Sequence, residues 1–280
     1  MEPPIIEKHH LGQGSPISLE ILPDDPSLIR RFAEDIIAEY LAAKSRGREK
    51  VVFILPVGPV GQYDLVAAMC SQKGIDLRDL VVINMDEYLN EDGSEFIPAS
   101  DPLSFHRHMD DHFYAKLPPE ICPPPAQRIF PSPTDPDQVG ELIEGFGGCD
   151  VCFGGIGITG HVAFNDPPEP GETITLEGFA AATTRVVRLS RETILINSVT
   201  TCRGNIDRIP KLAVTVGMKE ILESFKVRIY MNRFWQSAIV RKILHGPVTV
   251  KVPASLLQNH PDVHFVITDY VAENPEPQLG

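Results

Sequence analysis

The chain predicts an α/β three-layer sandwich with a mostly parallel sheet. Three observations carry that expectation. Apolar runs of strand length, such as residues 51–55 and 80–84, alternate with segments of helical periodicity. The run at 51–55 is apolar throughout rather than alternating, as strands covered on both faces are. Glycine-rich and polar segments follow them, where α/β sheets place ligands beyond the carboxyl ends of strands.

Residues 1–25 are rich in Pro and Gly and are expected to wrap the surface, with 271–280 also peripheral to one domain spanning 1–280. Leu28, Ile29, Phe32, Ala33, Ile36, Ile37, Tyr40 and Leu41 recur at helical spacing, with Ser27 as the expected cap and Gly47 as the stop. A strand at 51–55 leads through PVGPVGQ into a helix over 63–73. The next strand, 80–84, ends in MDEY. Residues 103–117 read as a helix and 118–136 as a Pro-rich connection. A helix near 138–146 precedes a strand at 151–153. Strands at 212–216, 226–231 and 263–267 follow, separated by helices near 218–224 and 234–244.

With 280 residues, the chain is long enough for one sizeable core. Hydrophobic residues at 42% and charged residues at 22% are those of an ordinary soluble globular protein. No apolar run approaches the length of a bilayer span. The N-terminal MEPPIIEKHHLGQG lacks a basic segment followed by an apolar one, so the expected location is cytoplasmic. A formal net charge of −13 argues against nucleic acid or an anionic membrane as partner. It does not argue against phosphorylated metabolites, which are held by a few local N–H groups and cations. Five cysteines do not suggest a disulfide framework. Cys149 and Cys152 sit on a strand that runs into a glycine turn, point to opposite faces and have no second Cys pair, so they read as core residues.

Two segments carry the chemistry. In GGIGITGHVAFNDP, Gly154 to Pro167, four glycines within seven residues let the backbone turn sharply and approach a ligand. His161, followed by Asn165 and Asp166, supplies a histidine and carboxylate suited to proton transfer near neutral pH. Taken alone, the Gly-His pair fits better a histidine that merely bonds a loop carbonyl, because most histidines are not catalytic. Asp86 and Glu87 close a strand, where adjacent side chains diverge. One is expected to enter a cleft while the other packs or caps a helix. Taken alone, MDEY also fits a solvated turn.

Together, NMDEY, SFHRHM, GGIGITGHVAFNDP, LAVTVGMKEIL and PASLLQNHPDVHFVITD stand in the order and spacing of glucosamine-6-phosphate deaminases. The stretch from about Leu55 to Asp269 resembles that family. The resemblance implies a Rossmann-like fold of the deaminase, 6-phosphogluconolactonase and ribose-5-phosphate isomerase type. Phe164-Asn165-Asp166-Pro167 after the Gly-His pair looks like the deaminase branch. In the family's terms, Asp86 takes the C2 proton of an amino sugar, His161 assists ring opening and Asp166 orients it. Glu87 and Thr159 complete the catalytic candidates. Gly58, Gly155, Gly157, Gly160 and Asn165 are the loop candidates for binding substrate. The implied partner is a small sugar or sugar phosphate, with no metal or organic cofactor, and a homo-oligomer is compatible with the family.

Several positions depart from the family pattern. Thr159 stands where Asp or Asn is frequent, and Asp166 is one methylene shorter than the usual Glu. Val57-Gly58-Pro59-Val60-Gly61 replaces a Thr-Gly-Gly-Thr/Ser phosphate loop, removing both hydroxyls and, at Pro59, an N–H. Gln236 aligns with a family lysine, and Val199 or Thr200 with a family arginine. Arg203 and Arg233 are the nearby cations available in their place. Three readings follow: a deaminase/isomerase, a lactonase-like hydrolase using His161 as general base, or a non-catalytic sugar-binding protein. PVGPVGQ, MDEY and GITGH are expected at one edge of the sheet, with Asp86 rather than Glu87 facing the cleft.

Overall fold

The computed structural model describes residues 2–277. In chain order the elements are β1 (Ser18–Leu22), α1 (Asp25–Ser45), β2 (Val51–Leu55), α2 (Gln62–Lys73), β3 (Leu80–Asn84) and β4 (Asp86–Tyr88). Then come α3 (Phe105–His112), β5 (Arg128–Ile129), α4 (Gln138–Gly145), β6 (Val151–Gly154), α5 (Leu176–Ala180) and β7 (Arg185–Arg188). The chain finishes with α6 (Arg191–Thr201), β8 (Leu212–Thr215), α7 (Met218–Leu222), β9 (Val227–Met231), α8 (Ser237–His245) and β10 (Val263–Thr268).

Seven strands form one sheet in the order β1-β10-β9-β6-β2-β3-β5, and every pairing in it is parallel. The continuous apolar runs have a direct cause. Val51, Phe53 and Leu55 of β2 pack into a core formed with α1 and α2. Val52 and Ile54 face a second core that contains Ile239, Val240 and Ile243 of α8. A strand covered on both faces has no polar position to spare. The three-layer α/β architecture read from the sequence is therefore present.

A smaller sheet, β4-β8-β7, is antiparallel, with Asp86 opposite Thr215 and Val214 opposite both Glu87 and Val186. The strand expected at 212–216 lies here and not in the parallel sheet. The step occurs at Met85, whose N–H still donates to Leu55 of β2 while its carbonyl accepts from Val216. One residue thus joins the two sheets and turns β4 out over the carboxyl ends of the parallel strands.

Other expectations need correction. Residues 1–25 are not wholly peripheral, because β1 pairs with β10 from Ser18↔His264 to Leu22↔Thr268. SLEIL is an edge strand, partly exposed along its length, and so lacks the apolar run that marked the others. β5 hides in the Pro-rich connection because two residues are too few to give a pattern. Asp24, not Ser27, caps α1: its carboxylate accepts from the Ser27 N–H at 2.8 Å. The helix expected over 103–117 stops at His112 and is followed by a single 3-10 turn at Tyr114–Lys116. Cys149 and Cys152 are buried free thiols, and burial pushes the Cys149 thiol up to about 11. No helix among the described residues is long and apolar enough to cross a membrane.

The chain ends are fastened by Arg241, a fully buried arginine of α8. Its guanidinium donates to the carbonyls of Ser237, Ile6 and Ala272 and to the side-chain oxygen of Asn274, at 2.7 to 3.2 Å. Replacing Arg241 with Leu leaves the buried carbonyls of Ser237 and Ala272 without these donors, and should cost about 2–3 kcal/mol. Urea denaturation measures the loss, and an unchanged midpoint would show that the guanidinium does not hold the ends.

Candidate active site

A cavity of about 500 Å³ opens at the carboxyl ends of the central strands. Its walls are the turn Pro56–Val60 after β2, Asp86 and Tyr88 of β4, and Gly155–Gly157 with His161 after β6. Asn232, Arg233, Trp235 and Gln236 after β9 close one end, and Asn197, Thr200 and Thr201 of α6 close another. The three loops expected to converge therefore do so.

Asp86 and Glu87 take opposite environments. Asp86 is 8% exposed, lines the cavity and makes no side-chain hydrogen bond among the described residues. Burial first, and then the neighbouring Glu87, push its carboxyl up to about 8. Glu87 points away from the cavity and is fully buried. Its carboxylate accepts from the backbone N–H groups of Tyr88, Phe105 and His106, from Ser104 Oγ, and bonds His106 Nδ1. Two of these N–H groups open α3, so Glu87 secures that helix's N-terminus. Its place among the catalytic candidates is corrected accordingly.

The histidine loop follows from packing. A Cβ on Gly157 would fall 2.0 Å from His161 Nε2, so the imidazole occupies the space that any side chain at 157 would need. Asp166 meets the ring on its other side, with Oδ1 2.7 Å from Nδ1. The same oxygen accepts from Thr159 Oγ1 at 2.8 Å and from Thr193 Oγ1 at 2.9 Å, and Oδ2 accepts from the Ser190 N–H. Burial alone would raise the Asp166 carboxyl, but His161 and these donors outweigh it and hold it well below the usual carboxylate range. Nδ1 is thus engaged, and Nε2 is the nitrogen left for a ligand. Thr193 lies 27 residues from Asp166, so no local pattern announced it; the only signal is Ser190-x-x-Thr193 opening α6, where Ser190 caps the helix.

The binding candidates divide. Gly58, Gly155 and Gly157 line the cavity. Gly160 does not: its φ of 87° fits glycine, and a Cβ there would press on Ile239 and Val252 at 3.0 Å. Asn165 is fully buried, donating to the Val162 and Val216 carbonyls and accepting from Arg185, so it fastens the loop rather than meeting a ligand. Gln236 borders the cavity, but its amide donates to the Ile156 carbonyl at 2.7 Å and accepts from the Arg233 N–H at 2.8 Å. Arg203 is exposed and does not line the cavity. Arg233 does, and makes no ion pair among the described residues. Sequence reasoning missed Asn232, only 8% exposed with a side-chain amide that makes no hydrogen bond among the described residues, and His108, whose imidazole burial and His112 push down to about 4.

An ionisable group held at about 8 has a signed consequence. Folding is favoured most below the unfolded Asp pKa of about 3.9 and loses stability as pH rises through the folded value. Asp86→Asn removes that loss. The variant should match the parent near pH 3 and gain stability progressively up to about pH 8. Thermal melts across this range test it, and a gap that narrows with rising pH would contradict it.

No family model matches the chain. The glucosamine-6-phosphate deaminase of Halothermothrix orenii is 31% identical over 215 residues, which are 75% of this chain and 80% of the relative. That of Bacillus velezensis is 30% identical over 247 residues, 86% of this chain and 92% of the relative. Among solved structures, a monomeric glucosamine-6-phosphate deaminase superposes with a TM-score of 0.74 at 24% identity, covering 91% of this chain and 99% of its own. A 6-phosphogluconolactonase from Trypanosoma brucei gives 0.65 at 15% identity, covering 93% and 99%. The structural likenesses show the shared fold. The sequence matches go further: this chain belongs to the glucosamine-6-phosphate deaminase family.

Proposed function

We propose that the chain converts an amino sugar phosphate into the ketose phosphate and ammonia. The observation that carries this reading is an unpartnered, unusually basic carboxylate, Asp86, in the same cavity wall as a histidine already fixed through Nδ1. His161 Nε2 takes the proton of the anomeric hydroxyl and returns one to the ring oxygen, opening the pyranose. Asp166, with Thr159 and Thr193 on its Oδ1, holds the imidazole in the orientation this requires. Asp86, once ionised, abstracts the C2 proton and delivers it to C1, giving the ketose imine. Water adds to the C2=N bond and ammonia leaves, so one water is consumed per ammonia released. Gly58, Gly155 and Gly157 bring backbone close to the sugar, and Asn232 offers it an unused amide.

The phosphate end departs from the family pattern. Gln236 is taken up by backbone partners, which leaves Arg233 as the unpaired cation in the cavity wall. We assign the phosphate to Arg233, approached from the side of Pro56–Val60. A single guanidinium contact predicts weak binding of glucosamine 6-phosphate.

An ammonia-release assay over amino sugars with and without phosphate tests the reaction. Asp86→Asn should lower turnover by about 10²- to 10⁴-fold and stop exchange of the C2 proton with solvent. Parental exchange in that variant would remove Asp86 from its role, and His161-dependent lactone hydrolysis without ammonia release would favour the hydrolase. Because the base works ionised, kcat/KM should climb as pH rises through about 8. Arg233→Ala should raise KM for the phosphorylated substrate by about tenfold or more and leave KM for the unphosphorylated sugar unchanged. Equal effects on both would place the phosphate elsewhere.

A further inference from the structure

Helix α6 borders two cavities. Thr193, Asn197, Thr200 and Thr201 form one stripe, which holds Asp166 and lines the catalytic cavity. Arg191, Ile194 and Leu195 form another, which lines a separate cavity of about 910 Å³. This spacing puts the two sets on different faces of the helix. The cavities also adjoin along the chain, since Tyr88 lines the first and Leu89 the second.

The second cavity has an apolar floor and a basic rim. Leu89, Leu189 and Ile209 are buried beneath it, while Leu195 and Ile206 are about half exposed at 50% and 49%. Arg188, Arg191 and Lys211 border it, and none makes an ion pair among the described residues. A fourth cation, Arg208, pairs with Asp101 at 2.6 Å. The carboxylates in the lining are Glu91 and Asp207, so the rim carries an excess of positive charge on a chain of net charge −13. Local charge opposite to that of the whole molecule, set around apolar surface, complements a ligand with an apolar body and an anionic head. The concavity and its volume suit a small molecule.

We infer that this cavity binds a small amphiphilic organic anion, and that occupancy is transmitted through α6 to the His161–Asp166 pair. The connection is short. Arg188 and Arg191 flank Ser190, whose N–H donates to Asp166 Oδ2. Thr193, two residues beyond Arg191, donates to Asp166 Oδ1. A ligand that draws the two arginines inward shifts the N-terminus of α6, where two of the Asp166 contacts originate. A displacement of about 1 Å at a catalytic group can change a rate by about a hundredfold. The effect on turnover rests on the proposed deamination; the binding site does not.

The probe is 8-anilinonaphthalene-1-sulfonate, with its uncharged analogue N-phenyl-1-naphthylamine as control, titrated by fluorescence into the full chain. The sulfonate should occupy one saturable site per chain and resist displacement by glucosamine 6-phosphate. The double variant Arg191→Gln, Lys211→Gln should bind it about tenfold or more weakly and keep the parental basal activity. Bound sulfonate should also shift the imidazole NMR signals of His161 and change kcat in the parent but not in the double variant at the same concentration. Equal binding of the neutral analogue, displacement by the sugar phosphate, or unchanged affinity in the double variant would overturn the site. Saturation with no change at His161 would overturn the transmission. If no substrate is turned over, the deaminase reading fails, while the titration and the NMR signals still decide this one.

Discussion

The Asp166 carboxylate is the constraint on which the catalytic loop depends. It is largely buried, so its charge must be met by donors or the loop does not close. Three side chains converge on Oδ1: His161, Thr159 seven residues before Asp166, and Thr193 on α6. The Ser190 N–H meets Oδ2. These contacts tie the loop after β6 to the start of α6 and fix which imidazole nitrogen stays free. Thr159 supplies a hydroxyl donor where an Asp would bring a second negative charge, and Thr193 adds a second hydroxyl to the same oxygen.

Asp86 is the complementary case, a buried carboxylate whose side chain makes no hydrogen bond among the described residues. It sits one residue away from Glu87, which is bonded on both oxygens. The pleat of β4 explains the contrast, since adjacent side chains leave opposite faces. One face meets the cavity, the other the N-terminus of α3. Glu87 spends its oxygens on those N–H groups, and its nearness is one reason, after burial, that Asp86 resists ionisation. The carboxylate that stays unsatisfied is the one with basicity to offer a substrate, and the folded state bears the cost of holding it.

The distal end of the cavity shows how a site changes its chemistry while its frame is kept. Gln236 ends the 3-10 turn that leads into α8, and both ends of its amide serve backbone groups, the Ile156 carbonyl and the Arg233 N–H. It rigidifies Ile156 and Arg233 relative to one another instead of touching a ligand. Arg233 borders the same end of the cavity, together with Asn232 and Trp235. Val57, Pro59 and Val60 add apolar side chains to the lining.

The sequence by itself determined the layered α/β architecture, because the runs 51–55 and 80–83 are apolar at every position, as strands of a sheet covered on both faces are. It also determined the order of the motif segments, and hence that Asp86, His161 and Gly157 would meet at one sheet edge. It could not reveal β1 or β5, since an edge strand and a two-residue strand leave too little pattern. Nor could it separate ligand-facing from structural polar residues. Asn165 and Gln236 resemble ligands in the chain and are framework in the fold, while Thr193 and Asn232, which no local pattern marks, hold Asp166 and line the cavity respectively. Those assignments depend on which backbone donors and acceptors remain unpaired after folding, and that is settled by contacts between segments tens of residues apart. Only the tertiary structure decides them.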